Sequence, residues 1–343
     1  MGDAQRRRIC VPRFLGQKRI QFSESVAPVP GPGQLLIQVQ GNAVCASDLG
    51  LFAHGASHTP GHETAGIVVG VGLDAQVAVG TPGVIYLMDF CGECRSCRLG
   101  YTNQCLAKRA DYGFSHDGGY GPYMVVNENV FFAIGPDIDL RDATLLLDVM
   151  GTGGHAISRA RRAREDIESV LITGAGPIGL GVAAMTRLIL GRDLPVLITD
   201  LVPYRLELAR KLGCAPIDVR EQPVSDALRA HGLDRVDVAI DTSGKALARR
   251  QALDVVGKRG ALVCVGHGEG LDLSVSGDLI APERSVLGSE YFRFDELAPN
   301  LARLHAHRDY LAQIITHRFP VSELQVAFET FIAGNTGKVV VEQ

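Results

Sequence analysis

Apolar residues fall along this chain in two textures. In the first third they form short β-type runs, 34–39 (QLLIQV), 65–71 (AGIVVGV), 83–87 (GVIYL) and 123–126 (YMVV), broken by glycine and proline. Such runs predict a compact, irregular β domain. Around Asp148 the character changes. The stretch 151–164 (GTGGHAISRARRAR) predicts a helix, and strands at 170–173, 196–200, 236–241 and 261–266 then alternate with helical stretches such as 204–212 and 247–256. Apolar strands alternating with helices predict an α/β, doubly wound parallel sheet with helices on both faces. From Tyr291 the tail returns to a helix over 323–333 and a closing strand, 338–341 (KVVV). Internal repeats and low-complexity linkers are absent from the sequence.

At 343 residues the chain exceeds the usual size of one core, so two domains are expected. Net charge is −4, from 34 basic and 38 acidic residues, which excludes the electrostatic footprint of a nucleic-acid binder. Arg6, Arg7 and Arg8 make the one tight basic run near an end and read as a solvated arm. The uncharged stretch 169–186 (SVLITGAGPIGLGVAAMT) is long enough to raise the membrane question. Four glycines and Pro177 within it predict a strand, a turn and a helix start instead. The opening MGDAQRRRICVPRF shows no apolar signal core, so a soluble protein of the reducing cytoplasm is expected.

That expectation matters for the cysteines, because half of the eight sit in one stretch, FCGECRSCRLGYTNQC, at Cys91, Cys94, Cys97 and Cys105. Three cysteines two residues apart are crowded for disulfides. A ferredoxin-type iron–sulfur run would place its last cysteine closer and follow it with proline, whereas Leu106 follows here. Four thiolates around one tetrahedral zinc fit the spacing best, and four protein ligands imply a structural rather than a catalytic ion.

The run VLITGAGPIGLG places Gly174, Gly176 and Gly179 as G-x-G-x-x-G between an apolar strand and a helix start. That context is the one a dinucleotide fingerprint requires. The next strand ends in Asp200, twenty-one residues after Gly179, where a carboxylate accepts from the ribose hydroxyls and repels a 2′-phosphate. NAD is therefore favoured over NADP, with Arg205 nearby as a partial offset. Three further segments, VCASDL (44–49), GHET (61–64) and LDV (147–149), are weak when read singly. Together they offer Cys45, His62, Glu63 and Asp148 to an open zinc site, with Asp48 placed to accept from the second ring nitrogen of His62.

These residues together resemble the zinc-dependent medium-chain dehydrogenase/reductase superfamily, in its alcohol, polyol and threonine dehydrogenase branch. The resemblance runs over essentially the whole chain: CASD (45–48), GHE (61–63), the four-cysteine lobe, the helix start from Asp148 to Ala156, the glycine fingerprint and the closing TGKVVV. VLGSEYFRFDEL and THRF look most like the threonine and polyol subgroup. The resemblance implies a GroES-like, mainly β catalytic domain from residues 1–150 and 291–343, carrying the lobe at about 90–106, and a Rossmann domain at 151–290. It implies two zinc ions per chain: a structural ion on Cys91, Cys94, Cys97 and Cys105, and a catalytic ion on Cys45, His62 and Asp148, with Glu63 able to approach or withdraw.

NAD is then held by Gly174, Gly176, Pro177, Ile178, Gly179, Asp200 and Arg205, with Thr152 packed near the nicotinamide. In such enzymes zinc acidifies a bound alcohol, hydride passes to the nicotinamide, and the proton leaves through a hydroxyl, here Ser47, with Asp48, His62 and Glu63 around it. Two departures concern the proton exit and the substrate loop. Gly50 stands where many relatives have a histidine, leaving His54 as a candidate substitute, and the 45–62 segment is short for the family.

The leading expectation is an NAD-dependent dehydrogenase of a small-molecule secondary alcohol or ketone, a polyol, sugar alcohol, cyclitol or amino alcohol. Ser47, His54, Glu63 and Arg293 near the mouth favour a hydroxylated substrate. Threonine 3-dehydrogenase is the alternative among enzymes, and a catalytically silent nucleotide-binding relative the alternative from another class. Relatives imply a homodimer or homotetramer.

Overall fold

The computed structural model describes residues 7–191 and 193–343, so that Arg6 of the basic run lies outside the described residues. Two main sheets organise them. The strands Ala215–Asp218, Val196–Asp200, Val170–Thr173, Val236–Asp241, Val256–Cys264 and Ser285–Gly288 lie side by side in that order, every neighbouring pair parallel. Numbered along the chain this is 3-2-1-4-5-6, the order of a Rossmann sheet. Its strands are buried on both faces, which is why they read as unbroken apolar runs and not as alternation. The helices Pro177–Ile189, Pro203–Lys211 and Ala246–Val255 follow the first, second and fourth strands of that chain order.

The other sheet joins the two ends of the chain. Gln34–Val44 is its centre, pairing antiparallel with Glu63–Val71, Tyr123–Asn127 and the closing strand Lys338–Glu342. Pro82–Ile85, Phe131–Ala133 and Ile315–Pro320 complete it. A hairpin of Arg8–Gly16 with Arg19–Val26 lies outside this sheet, and its Phe14 packs with Phe52, Tyr120 and Phe328 in a buried aromatic cluster.

The fold departs from the sequence reading at the edges of elements. The central strand runs on to Val44 and so delivers Cys45 directly from its end. The helix read at 151–164 is in fact one wide π-helical turn, Asp148–Thr152, followed by an α-helix, Gly153–Ala163. Such turns widen the backbone and re-aim side chains, and they recur at functional sites. Among the described residues no helix is long and apolar enough to cross a membrane.

Candidate metal centre and nucleotide cleft

Four sequence-distant residues converge where the β sheet meets the π-helical turn. Cys45 leaves the end of the central strand, His62 and Glu63 open the strand beside it, and Asp148 heads the turn. Their donor atoms all lie within 4.8 Å of one another and all four residues are buried. Cys45 Sγ is 3.3 Å from Asp148 Oδ2, which is also 3.5 Å from His62 Nε2. Glu63 Oε1 is 4.0 Å from the same nitrogen.

The histidine is oriented from behind. Its Nδ1 lies 3.0 Å from Asp48 Oδ1, so Nδ1–H donates to that carboxylate and the Nε2 lone pair turns to the cluster. Asp48 is held in turn by the Tyr120 hydroxyl at 2.8 Å and the Cys45 amide at 3.2 Å. Phe114 packs against the imidazole with ring centroids 4.7 Å apart.

Electrostatics here are crowded. Burial and the Asp148 carboxylate push the Cys45 thiol up. Burial alone would lower His62, yet Asp48 and Asp148 hold it well above its ordinary value. Burial and Asp148 push Glu63 up to about 8, against the pull of Lys338. Burial opposes ionisation of Asp148 as well, but hydrogen bonding to His62 outweighs it and brings that carboxyl down to about 2. A buried thiol, imidazole and two carboxyls packed this closely are a donor set that one divalent cation would satisfy. Glu63 Oε2 is buried with no hydrogen-bond partner, which also marks unfilled ligand capacity. A borderline-soft ion taking sulfur, nitrogen and oxygen together is zinc.

The sequence reading missed the counter-charge. Lys338, fully buried in the closing strand, is paired with Glu63 Oε1, itself fully buried. Its signal was present as a single cation in an otherwise apolar run, TGKVVV. Tyr120 and Phe114 are also additions, and nothing in their local sequence marked them.

The four cysteines form a separate cluster. Sγ–Sγ distances are 3.6 Å for Cys91–Cys105 and 4.0 Å for both Cys91–Cys97 and Cys94–Cys105. Disulfides need about 2.05 Å, whereas a tetrahedron with Zn–S near 2.3 Å has edges of about 3.8 Å. Backbone amides of Cys91, Cys94, Cys97 and Leu106 point at these sulfurs at 3.3–3.5 Å, as thiolates require.

A cavity of about 420 Å³ opens onto the buried cluster between the two sheets. Cys45, Ser47, His62 and Asp148 line one side, and Ile178 from the helix after the first parallel strand and Thr242 just past the fourth line another. Ser47 Oγ is 3.5 Å from His62 Nε2, and Thr152, also at the wall, has a buried hydroxyl without a partner. His54 closes a short helix and Gly50 lies inside it; neither lines this cavity, nor does Arg293, which pairs with Asp295.

The glycine fingerprint forms a tight turn between its strand and helix. Gly174 has φ +90°, and a Cβ on Gly179 would sit 1.8 Å from the Gly174 carbonyl oxygen. Around Gly176 the space is open, and Pro177 and Ile178 begin the helix whose free N–H groups face an approaching anion. Asp200 is anchored by the amides of Ala175, Leu201 and Val202 at 2.7–2.9 Å. Arg205 donates to the Thr336 carbonyl at 3.3 Å.

A parallel nucleotide sheet set against a β domain with a buried thiolate–imidazole–carboxylate cluster defines a metal-dependent, nucleotide-linked oxidoreductase. Residues 31–136 match the alcohol dehydrogenase GroES-like domain and residues 177–306 the zinc-binding dehydrogenase model. The chain is 32% identical to the L-threonine 3-dehydrogenase of Saccharopolyspora erythraea over 339 residues, covering 94% of this chain and 95% of that one. A zinc-binding dehydrogenase of Sinorhizobium meliloti bound to NADP is 25% identical with a TM-score of 0.86, covering 98% of this chain and 100% of that one. The 2R,3R-butanediol dehydrogenase of Bacillus subtilis, at 22% identity and a TM-score of 0.86, covers 98% of this chain and 99% of its own and shares the fold. The chain belongs to the zinc-dependent medium-chain dehydrogenase superfamily, and it is an oxidoreductase of the zinc-type alcohol dehydrogenase class.

Proposed function

We propose that this protein is an NAD-dependent dehydrogenase of a secondary alcohol carrying further polar groups, a polyol, sugar alcohol, cyclitol or amino alcohol, with two zinc ions per chain. The observation that carries the reading is the buried Cys45–His62–Glu63–Asp148 cluster opening onto a cavity shared with the nucleotide sheet. Cys91, Cys94, Cys97 and Cys105 would hold the structural ion, and the open cluster the second. The catalytic domain comprises residues 1–150 and 291–343, and the nucleotide domain 151–290.

Cys45, His62 and Asp148 would hold a zinc ion, which would supply the Lewis acidity that makes a nearby alcohol acidic near neutral pH. The chain's own residues do the rest. Asp48 fixes the His62 tautomer, Ser47 Oγ accepts the alcohol proton at the cavity wall while its own proton passes on through the nicotinamide ribose hydroxyl toward solvent, and Thr152 packs beside the nicotinamide. Glu63, tethered by Lys338, would be a fourth donor able to approach the ion or withdraw from it. Gly174, Gly176, Pro177, Ile178 and Gly179 cradle the pyrophosphate, and Asp200 accepts from the ribose hydroxyls and disfavours NADP. The Sinorhizobium meliloti relative binds NADP, so the preference is tested directly, with Arg205 the residue that would soften it.

The experiment is NADH formation by zinc-replete protein with polyols, cyclitols, threonine and simple secondary alcohols, run in parallel with NADP⁺. Turnover with zinc near two per chain supports the reading. Nucleotide binding without turnover on any alcohol, with one zinc per chain, would replace it by a catalytically silent nucleotide binder. The 32% identical relative makes L-threonine 3-dehydrogenase the second enzymatic reading. A homodimer or homotetramer is proposed from the family resemblance, and light scattering decides between them.

A further inference from the structure

The chain enters and leaves the four-cysteine lobe through a short pair of strands that forms its neck. Met88–Asp89 runs antiparallel to Ala110–Asp111, with Met88 opposite Asp111 and Asp89 opposite Ala110. Asp89 is almost fully buried and is clamped by Arg109 at 2.6 and 3.1 Å and by the Asn127 amide at 2.5 Å. Arg109 also donates to the Phe90 carbonyl and to Asn129 at 3.0 Å. A neck tied this firmly holds whatever it carries in a fixed place.

What it carries toward the metal-site cavity is an ion pair. Lys108 and Asp111 both line that cavity, and Lys108 Nζ lies 2.7 Å from Asp111 Oδ2. The other Asp111 oxygen, Oδ1, is closed off from water and accepts no hydrogen bond. A carboxylate oxygen left in that state costs free energy until a donor reaches it. The second ion pair on the cavity, His267 with Glu290 at 3.2 Å, is widely exposed and stands against the nucleotide sheet. On the wall beside the metal ligands, Lys108 and Asp111 are the charged side chains that the donor set does not use.

From this arrangement we infer that Lys108 and Asp111 recognise a zwitterionic substrate, a β-hydroxy-α-amino acid, whose carboxylate meets Lys108 and whose ammonium meets Asp111. The inference rests on the dehydrogenase reading of the same cavity. Charge complementarity selects the zwitterion over its halves. A lone carboxylate at Lys108 is repelled by Asp111 beside it, and a lone ammonium at Asp111 is repelled by Lys108. Neutral diols gain from neither charge. Only adjacent opposite charges match a pair whose own members sit 2.7 Å apart.

Four probes share a CH3–CHOH carbinol and present the four combinations of charge beside it: L-threonine (both charges), 3-hydroxybutyrate (carboxylate), 1-amino-2-propanol (ammonium) and butane-2,3-diol (neither). Zinc-loaded enzyme with NAD⁺ should show the highest kcat/KM on threonine. In Lys108→Met and Asp111→Asn the ratio of threonine to diol kcat/KM should fall at least about tenfold, equivalent to ~1.4 kcal/mol, and Lys108→Arg should restore most of it. Diol turned over as well as threonine, or a ratio unmoved in both variants, overturns the inference while leaving the dehydrogenase reading intact. If no probe is oxidised, the dehydrogenase reading fails for them, and calorimetry of threonine binding to the zinc- and NADH-loaded protein decides the pair. Binding weakened in Lys108→Met upholds it, and no binding overturns it.

Discussion

The two metal-type clusters of this chain are built on opposite plans. In the lobe, four like donors come from fifteen residues, are half-buried and are stabilised by backbone amides directed at sulfur. In the cavity, four unlike donors come from three places between residues 45 and 148, are all buried, and crowd like charges together. A closed set of identical thiolates leaves no ligand position and braces structure. A mixed, buried set beside a cavity keeps reactive capacity, and needs outside support from Asp48, Tyr120 and Lys338 to exist at all. The contrast predicts that the two centres fail differently when broken.

The largest effect is expected at the open centre. Cys45→Ser removes the thiolate and should cut kcat/KM at least about a hundredfold, since Lewis-acid stabilisation is worth several kcal/mol. Zinc content should fall from two toward one per chain, measured by atomic absorption. Full turnover in this variant would remove Cys45 from the metal role.

Next comes the support that holds the charges apart. Lys338→Met leaves Glu63 buried without its cation, and above about pH 8, where that carboxyl ionises, breaking such a pair typically costs about 3–5 kcal/mol. Urea melts of the metal-free protein should show that loss. The double variant Lys338→Met/Glu63→Gln, with both charges gone, should recover most of it. A double variant as unstable as the single would mean that packing of the lysine stem, not pairing, stabilises the strand.

The same contrast explains what could be read before any coordinates. The lobe was legible because its donors are neighbours in sequence, and C-x2-C-x2-C-x7-C is a rare spacing. The fingerprint was legible because Gly174 and Gly179 obey local constraints, a left-handed turn and a carbonyl at contact distance. The cavity cluster could be assembled only by joining three weak segments, which the family resemblance then backed, and Lys338, 275 residues from Glu63, stayed out of it. Its role depends on strand pairing across the chain ends, where Val339 lies opposite Val44. The neck pair Lys108–Asp111 was equally silent, because an i,i+3 charge pair near a loop ordinarily means a solvated face. The π-helical turn at Asp148 escaped for a different reason: apolar periodicity does not separate a wide turn from the α-helix that continues it.

Chelation tests the crowding itself. In zinc-free protein the folded Glu63 carboxyl sits at about 8, above its ordinary 4.5. Its contribution to stability is therefore complete below about pH 4.5 and is lost as pH rises toward 8. His62, also raised, acts in the same direction. Asp148, at about 2, contributes above its ordinary 3.8 and loses that contribution only as pH falls through 2. Urea melts of the chelated protein should thus weaken from pH 5 to 8, and Glu63→Gln should flatten part of the decline. Zinc competes with protons for these donors, so metal-loaded protein should hold its stability across that range. Equal pH profiles with and without metal would mean that the cluster is not where the ion binds.

The smallest effect on chemistry is expected from breaking the lobe. Cys97→Ser should release one zinc and lower the melting temperature by several degrees, each kcal/mol being worth about 2–4 °C in a domain of 150–250 residues. The reacting cluster lies elsewhere, so kcat of the folded enzyme should fall less than about threefold. The effect should appear instead in KM, because the neck that anchors the lobe also sets Lys108 and Asp111 against the cavity. A loosened neck widens the spread of positions available to that pair, and recognition that depends on two charges held side by side suffers before catalysis does. A KM increase confined to doubly charged substrates would tie the lobe to recognition. Loss of kcat on every substrate alike would show that the two centres are coupled through the body of the β domain.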